Sequence, residues 1–206
     1  MLVRHGASAD AVEGRLFPTV EGQGDPPLSE LGRQQARLAC SRLQAQRVDA
    51  VYVTTLQRTV QTIQPFLDTT GTTAVVEARL REVHLGEWEG GVLRQKIADD
   101  DPIAARMLAE QRWELIPGAE KSSEFAERVR AGIGAIAAAH TGGRVVIVSH
   151  GGTIGEALRQ VTNSKPFAFV GADNASISSI VVMPTGSLLR GFNDISHLDV
   201  TSSAMT

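Results

Sequence analysis

The sequence predicts an α/β protein, a three-layer α/β/α sandwich with a mostly parallel central sheet. Segments with the composition of buried strands alternate with helical segments, the order that a parallel sheet covered by helices produces. The 206 residues are enough for one domain with its own core, so we expect residues 1–206 to form a single domain. Apolar residues at 42% and charged residues at 21% lie close to the averages of globular proteins.

The first elements are a short strand, a long loop and a helix. The strand, Leu2-Val3, runs directly into Arg4-His5-Gly6. Residues 7–27 are rich in Gly, Pro, Asp and Ala and have no periodicity, which predicts a loop, and loops of this length are often functional. Ser29 then predicts the N-cap of a helix that runs to about residue 46, with Leu31, Leu38 and Leu43 near one face.

The later elements continue the alternation, and the clearest of them is the β-branched run at 144–149, as in a strand covered on both faces. In chain order they are predicted as a strand at 49–54, a helix at 56–67, a strand at 74–76, a short helix at 103–110, a helix capped by Ser122 or Ser123 that runs to about residue 140, the strand at 144–149, a helix at 153–161, and strands at 176–182 and 188–191. Residues 83–121 are otherwise irregular, because Gly and Pro interrupt them. We expect a flexible tail at about 196–206.

Two histidines follow two of these strands directly. His5 and His150 each come after an apolar strand, and each precedes a glycine. Arg4 stands before the first histidine, and Arg58 lies in the first turn of the helix after a third strand. Ligands bind beyond the carboxyl ends of the strands in sheets of this kind, so we expect these four side chains to converge there.

This set of side chains suits a phosphate monoester. Guanidinium groups match phosphoryl oxygens in bidentate fashion, and helix N-termini add backbone N–H donors. Gly6, Gly151 and Gly152 would let the backbone approach the anion closely, because they carry no Cβ. A neutral imidazole is a nucleophile toward phosphorus. We expect His5 to attack with one ring nitrogen while the other donates to a backbone carbonyl, and His150 to act as a hydrogen-bond donor or a cation.

Five motifs resemble those of the histidine phosphatase superfamily, also called the phosphoglycerate mutase-like family. They occur in the family's order and cover the chain from residue 2 to about 182: LVRHG at 2–6, PLSELGRQQA at 27–36, TTLQRTVQT at 54–62, LREVHLGEWEG at 80–90 and VSHGG at 148–152. The resemblance implies the phosphoglycerate mutase-like α/β/α fold. It also implies that His5 is transiently phosphorylated, that Arg4, Arg58 and His150 hold the phosphoryl group, and that Glu82 donates the proton.

Some positions depart from the family's pattern. Ala7 and Ala11 stand where many members carry a Glu or Gln and an asparagine phosphate ligand, whereas Ser8 matches the usual Ser or Thr and is a candidate phosphate ligand. The alanine at position 11 and the LGEWEG stretch favour the phosphatase branch over the mutases. Arg15, in the loop after His5, and His84 are candidate substrate contacts. We expect specificity to reside in 7–27 and 83–121.

The resulting prediction is a cofactor-independent phosphomonoesterase that hydrolyses a small phosphorylated metabolite through a phosphohistidine. Two alternatives stay open at this point: phosphoryl transfer of the phosphoglycerate mutase type, and a non-catalytic module that binds a phosphorylated ligand. A zinc site at His5 and His150 lacks a clear third ligand, so no metal is expected.

Charge and composition exclude other classes. The net charge of −3 is too small to predict nucleic-acid or anionic-membrane binding, and Cys40 is the only cysteine, so no internal disulfide can form. No apolar run approaches the length of about 20 residues that spans a bilayer. We therefore expect a cytoplasmic protein with a small-molecule partner; the sequence carries no signal for its oligomeric state.

Overall fold

The computed structural model describes residues 1–10 and 17–199. Eight strands occur in this part of the chain: β1 Leu2–Arg4, β2 Thr19–Val20, β3 Gln23–Gly24, β4 Ala50–Val53, β5 Ala74–Val76, β6 Val145–Ser149, β7 Ile177–Met183 and β8 Gly186–Asp194. Six of them form the central sheet, in the order β5-β4-β6-β1-β7-β8. Strands β5, β4, β6 and β1 are parallel, and β7 is antiparallel to both of its neighbours. The prediction of a mostly parallel sheet is confirmed.

Helices cover both faces of this sheet. They are α1 Glu30–Gln44, α2 Gln57–Thr70, α3 Val92–Ala98, α4 Pro102–Glu110, α5 Ser122–Ala139 and α6 Gly151–Thr162, with 3-10 turns at Ala78–Leu80, Gly86–Gly91, Trp113–Leu115 and Ser196–Leu198. Within 1–10 and 17–199, none of the helices combines the length and the apolar character that crossing a bilayer requires.

The core is divided into two layers because successive strand residues point to opposite faces. Leu2 of β1 packs in a cluster with α5 and α6, whereas Val3 packs in a second cluster with α1 and α2. Each face of β1 and β6 is therefore buried beneath a different pair of helices, which makes the three layers of the sandwich.

Ser29 caps α1 as predicted, since its side chain accepts a hydrogen bond from the Gly32 N–H at 3.1 Å. Of the three leucines predicted near one face of α1, Leu43 is buried but Leu31 is not. Leu31 is 57% exposed, and the face toward the sheet is made of Gly32, Ala36, Ala39, Cys40 and Leu43. Small residues there allow the helix to lie close to the loop that follows β1.

Gly32 makes the closest of these approaches. A Cβ on Gly32 would lie 2.0 Å from the Ala7 carbonyl oxygen, and a Cβ on Gly6 would lie 2.6 Å from the Gly32 carbonyl oxygen. We therefore expect Gly32→Ala to lower the free energy of unfolding by about 1–3 kcal/mol, as overpacking does. Gly134 on α5 is the control, because nothing lies within 4 Å of its Cβ position. Gly134→Ala should raise the same quantity by about 0.5–1 kcal/mol. Urea unfolding measures both, and a Gly32→Ala chain as stable as the parent would contradict the contact.

Other boundaries also differ. Neither Ser122 nor Ser123 caps α5: the N-cap is Lys121, and Ser122 instead bonds Glu114 through its backbone N–H and its hydroxyl. The tail does not become loose at Ser196, because Ser196–Leu198 form a 3-10 turn in which His197 Nε2 donates to the Ala175 carbonyl at 3.0 Å. Residues 200–206 lie outside the described residues.

The β2–β3 hairpin and the helix α3 were absent from the prediction. The β2–β3 hairpin lies inside the segment predicted as a loop, and α3 lies inside the segment predicted as irregular. The strands of the hairpin have two residues each, and α3 buries none of its residues, so neither produces a hydrophobic period.

Candidate active site

Three neighbouring strands bring the predicted site residues to one edge of the sheet. Strands β4, β6 and β1 are adjacent, and they lead into Arg58, His150 and His5 respectively. In the parallel pairing of β1 with β6, Arg4 is opposite Ser149, and the His5 N–H donates to the Ser149 carbonyl at 3.0 Å. This register places the imidazoles of His5 and His150 side by side, with ring centroids 5.2 Å apart.

His5 is buried and held in a single ring orientation. Its Nδ1 donates to the Gly6 carbonyl oxygen at 2.7 Å, which leaves Nε2 as the nitrogen with a free lone pair. Burial lowers the pKa of His5 well below its ordinary value, and the positive charges of Arg58 and Arg4 lower it further. The imidazole is therefore neutral near pH 7, the form that can attack phosphorus.

His150 is fully buried beside it. Its Nε2 lies 3.0 Å from the Thr54 hydroxyl, while its Nδ1 has no hydrogen-bond partner among the described residues. Burial lowers the pKa of His150 well below the ordinary value, and the charge of Arg58 adds to this. His150 was expected to act as a hydrogen-bond donor or as a cation. Its lowered pKa disfavours the cation in the protein without a ligand. A neutral ring with its proton on Nδ1, accepting from Thr54 at Nε2, can donate a hydrogen bond to an anion.

Arg58 is buried and Arg4 half-buried, and both guanidinium groups are anchored to backbone carbonyls. Arg4 donates from Nη1 to the Ala172 carbonyl, and its Nε has no partner among the described residues. Arg58 donates to the Gly24 carbonyl at 3.0 Å and lies 3.8 Å from Asp25 Oδ1. Burial lowers the pKa of both arginines, and the negative charge of Glu82 acts in the opposite direction on both. Glu82 therefore lies within electrostatic reach of the two guanidinium groups.

The Glu82 carboxylate sits at the N-terminus of α6. Its oxygens accept from the N–H groups of Gly152 at 3.1 Å and Thr153 at 3.2 Å, and from its neighbour Val83 at 2.9 Å. α6 starts at Gly151, two residues before the predicted start, and this early start aims the N–H groups at the carboxylate. A Cβ on Gly152 would lie 2.5 Å from Glu82 Oε1, so only glycine allows this approach.

The other two of the three glycines predicted to approach the anion, Gly6 and Gly151, have different surroundings. Gly6 donates its N–H to Thr62 Oγ1 at 2.9 Å, and the close contact with Gly32 fills the side where a Cβ would be. The expectation that Gly6 leaves its backbone open to an anion is therefore wrong, because packing against α1 accounts for this glycine. Gly151 does lie in the site: a Cβ there would be 3.4 Å from Arg4 Nε.

Two further candidates, Ser8 and His84, make other contacts in the part of the chain that the structure describes. Ser8 forms a backbone bridge with Leu28 beside the loop that leaves β1. His84 uses Nδ1 to accept from the Gly86 N–H at 3.0 Å. Its Nε2 lies 3.0 Å from the position of a Cβ on Gly22, at the turn of the β2–β3 hairpin. Arg15 lies outside the described residues, as does Ala11.

Several supporting residues were missed by sequence reasoning. Asp25 accepts from the Gln57 N–H at 2.9 Å and so caps α2 from a distant loop, next to Arg58. Asn174 donates to the His5 carbonyl at 3.0 Å, and the buried Gln23 donates to the Glu82 carbonyl at 2.7 Å. Thr54 belongs to a recognised motif but was given no role. The other three partners are distant in the chain and carry no local signal.

α3 contributes a charge near the site. Arg94 lies on this exposed helix, and its positive charge lowers the pKa of His5 and of Arg4 beyond the larger effect of burial. Among the described residues, no group of three or more His, Cys, Asp or Glu side chains could hold a metal ion. The site as a whole can bind an anion between the neutral imidazoles of His5 and His150 and the guanidinium groups of Arg4 and Arg58, with the Glu82 carboxylate alongside.

The histidine pKa values can be tested by NMR. Because burial disfavours the charged imidazole, the His5 and His150 ring signals should keep their neutral positions as the pH falls through about 6.5, where an exposed histidine is half protonated. Signals are assigned by comparison with single His→Ala variants. A titration midpoint at or above about 6.5 for either ring would contradict the burial argument.

Comparison with known proteins supports a single family. The sequence profile of the histidine phosphatase superfamily (branch 1) matches residues 1–195. A protein of Yersinia enterocolitica named "Probable phosphoglycerate mutase GpmB" is 27% identical over 206 residues, which cover 97% of this chain and 94% of that protein.

Solved structures have the same fold. Bacillus stearothermophilus YhfR is 28% identical with a TM-score of 0.81, and the match covers 96% of this chain and 98% of that one. A mycobacterial glucosyl-3-phosphoglycerate phosphatase is 27% identical with a TM-score of 0.76, covering 93% of this chain and 96% of that one. The similar proteins thus include one named as a mutase and one named as a phosphatase.

Proposed function

The chain belongs to the histidine phosphatase superfamily, and from this membership we propose that it is a cofactor-independent phosphomonoesterase acting through a phosphohistidine. The observation that carries the proposal is a pair of buried donors without partners beside a neutral nucleophile. His150 Nδ1 and Arg4 Nε have no partner among the described residues. The His150 ring lies beside that of His5, and the charge of Arg4 acts on His5. Buried donors are normally paired, so an anionic ligand is the natural partner for these two.

In the first step, His5 Nε2 attacks phosphorus and the bond from phosphorus to the ester oxygen breaks. Arg4, Arg58 and His150 donate to the three equatorial oxygens, whose charge spreads in a loose transition state. Glu82 acts as the general acid in this step and gives its proton to the departing alkoxide. The hydrogen bond from His5 Nδ1 to the Gly6 carbonyl stabilises the positive charge that forms on the ring.

In the second step, water attacks the phosphohistidine. The Glu82 carboxylate takes a proton from this water, the N–P bond breaks, and inorganic phosphate leaves while His5 returns to its neutral form. The N-terminus of α6 holds the carboxyl group of Glu82 in place, because the Gly152 and Thr153 N–H groups bind its two oxygens.

The substrate we propose is a small phosphorylated metabolite, such as a sugar phosphate or a phosphorylated glycerate derivative. The name of the similar mycobacterial phosphatase points to the second class. Arg94 supports a substrate with a further anionic group, because its charge acts on the same pocket. No nucleic acid or membrane is part of the proposal, and we propose a cytoplasmic location.

A mutase is the second candidate, because a similar protein carries that name. One experiment separates the two activities: the purified chain is incubated with a panel of phosphorylated metabolites, and inorganic phosphate and phosphoglycerate isomers are measured together. A phosphatase releases phosphate in proportion to the substrate consumed. Interconversion of 2- and 3-phosphoglycerate without phosphate release would replace the proposal with the mutase. Phosphate release that stops when a chelator is added would also contradict it.

A further inference from the structure

The segment that carries Glu82 has no regular structure of its own. Glu82 follows the 3-10 turn Ala78–Leu80 and precedes the 3-10 turn Gly86–Gly91. Its backbone position must therefore be set by contacts from elsewhere, since no ladder of a sheet or helix holds it. A general acid has to stay within hydrogen-bonding distance of the atom it protonates, so these contacts bear on catalysis.

Hydrogen bonds to the carbonyls of this segment come from Ser149, Thr153 and Gln23, and Arg128 of α5 adds three more. Its Nη1 donates to the carbonyls of Arg79 at 2.7 Å and Arg81 at 2.8 Å, and its Nη2 donates to the carbonyl of Glu82 at 2.8 Å. The same guanidinium donates from Nε and Nη2 to the two carboxylate oxygens of Glu120, at 2.7 and 2.8 Å. All five N–H groups of the guanidinium are therefore in use.

Glu120 binds the backbone on the other side of Glu82, at His84. Its Oε2 accepts from the His84 N–H at 3.2 Å, and its own N–H donates to the His84 carbonyl at 2.9 Å. Arg128 and Glu120 thus bind the backbone both before and after the acid. Their side chains are only 22% and 16% exposed, so solvent screens the pair less than it would an exposed one.

We propose that Arg128, paired with Glu120, is a positioning residue that holds the Glu82 carboxylate at the leaving-group oxygen. This inference rests on the proposed function, in which Glu82 is the acid. A lysine could not replace the arginine, because an ammonium group has three donors in place of the planar fork of five. The fork reaches the carbonyls and the carboxylate at the same time, which couples α5 to the acid.

The test uses two substrates that differ in their need for an acid. An alkyl phosphate releases an alkoxide, which must be protonated as it leaves, whereas p-nitrophenyl phosphate releases a stable phenolate. We expect Arg128→Met to lower kcat/KM for the alkyl phosphate by about 10–100-fold, the cost of a small displacement of a catalytic group. The value for p-nitrophenyl phosphate should change less than about threefold. Arg128→Lys and Glu120→Gln should give losses between those of Arg128→Met and the parent.

Arg130→Met is the matched control, since Arg130 is an exposed arginine on the same helix. It should leave both values unchanged. A double variant with Glu82→Gln provides the second readout: if Arg128 acts through Glu82, adding Arg128→Met to Glu82→Gln should cause no further loss. Thermal melting identifies variants that do not fold. If Arg128→Met does not fold, Glu120→Gln replaces it in the comparison of the two substrates.

Equal losses on the two substrates, or a loss that adds fully to that of Glu82→Gln, would overturn the inference. A parent chain that hydrolyses neither substrate would instead overturn the proposed function. The two failures are therefore distinguishable.

Discussion

Replacing His5 with alanine should lower kcat for phosphate release by at least about 10⁴-fold, because the nucleophile takes part in both steps of the proposed reaction. The remaining groups still bind the phosphoryl group, so binding of inorganic phosphate should be reduced far less than turnover. The parent chain, mixed briefly with substrate and quenched in alkali, should carry phosphate that is released by acid, as an N–P bond requires. The His5→Ala chain should carry none.

His140→Gln is a suitable control for this variant. It removes an imidazole at the end of α5, where Nε2 lies 2.9 Å from the Tyr52 hydroxyl and takes no part in the site. Its turnover should match that of the parent. A fully active His5→Ala chain, or one that still acquires acid-labile phosphate, would end the phosphohistidine mechanism.

Glu82→Gln should have the second largest effect, and the size should depend on the leaving group. The amide keeps the shape of the side chain and an oxygen for the α6 N-terminus, but it cannot give up a proton. We expect kcat/KM for an alkyl phosphate to fall by about 10²–10⁴-fold, the range that general acid catalysis supplies. For p-nitrophenyl phosphate the fall should be at least about tenfold smaller, because nitrophenolate leaves without a proton.

Glu87→Gln controls for the loss of a negative charge, since Glu87 is an exposed glutamate in the 3-10 turn that follows Glu82. It should change neither value. If Glu82→Gln reduces both substrates by the same factor, Glu82 is not the acid, and the proton must come from another group.

The strand-end residues could be predicted because their placement depends on local sequence. An apolar β-branched strand followed directly by His150 and glycine places the imidazole at the carboxyl edge wherever the strand lies in a parallel sheet. Arg58 follows in the same way from its place in the first turn of α2. Local sequence does not show that β1 and β6 are neighbours. The tertiary structure shows it, and this pairing brings the rings of His5 and His150 to 5.2 Å.

The surroundings of Glu82 could not be predicted in this way. Arg128, Gln23 and the N-terminus of α6 reach the acid from distant parts of the chain, and none of them shows a local pattern that points to it. The start of α6 was misplaced for a related reason. Two glycines weaken a helix intrinsically, and only the contact with Glu82 explains why they form its first turn.

The sequence by itself determined the fold class, the family and the identity of the side chains that could bind and attack a phosphate, because strand periodicity and short motifs are local properties. Only the tertiary structure decided the protonation of the two histidines, the packing role of Gly6 and the anchoring of Glu82. These depend on burial and on hydrogen bonds between residues far apart in the chain, and such contacts exist only once the layers have packed.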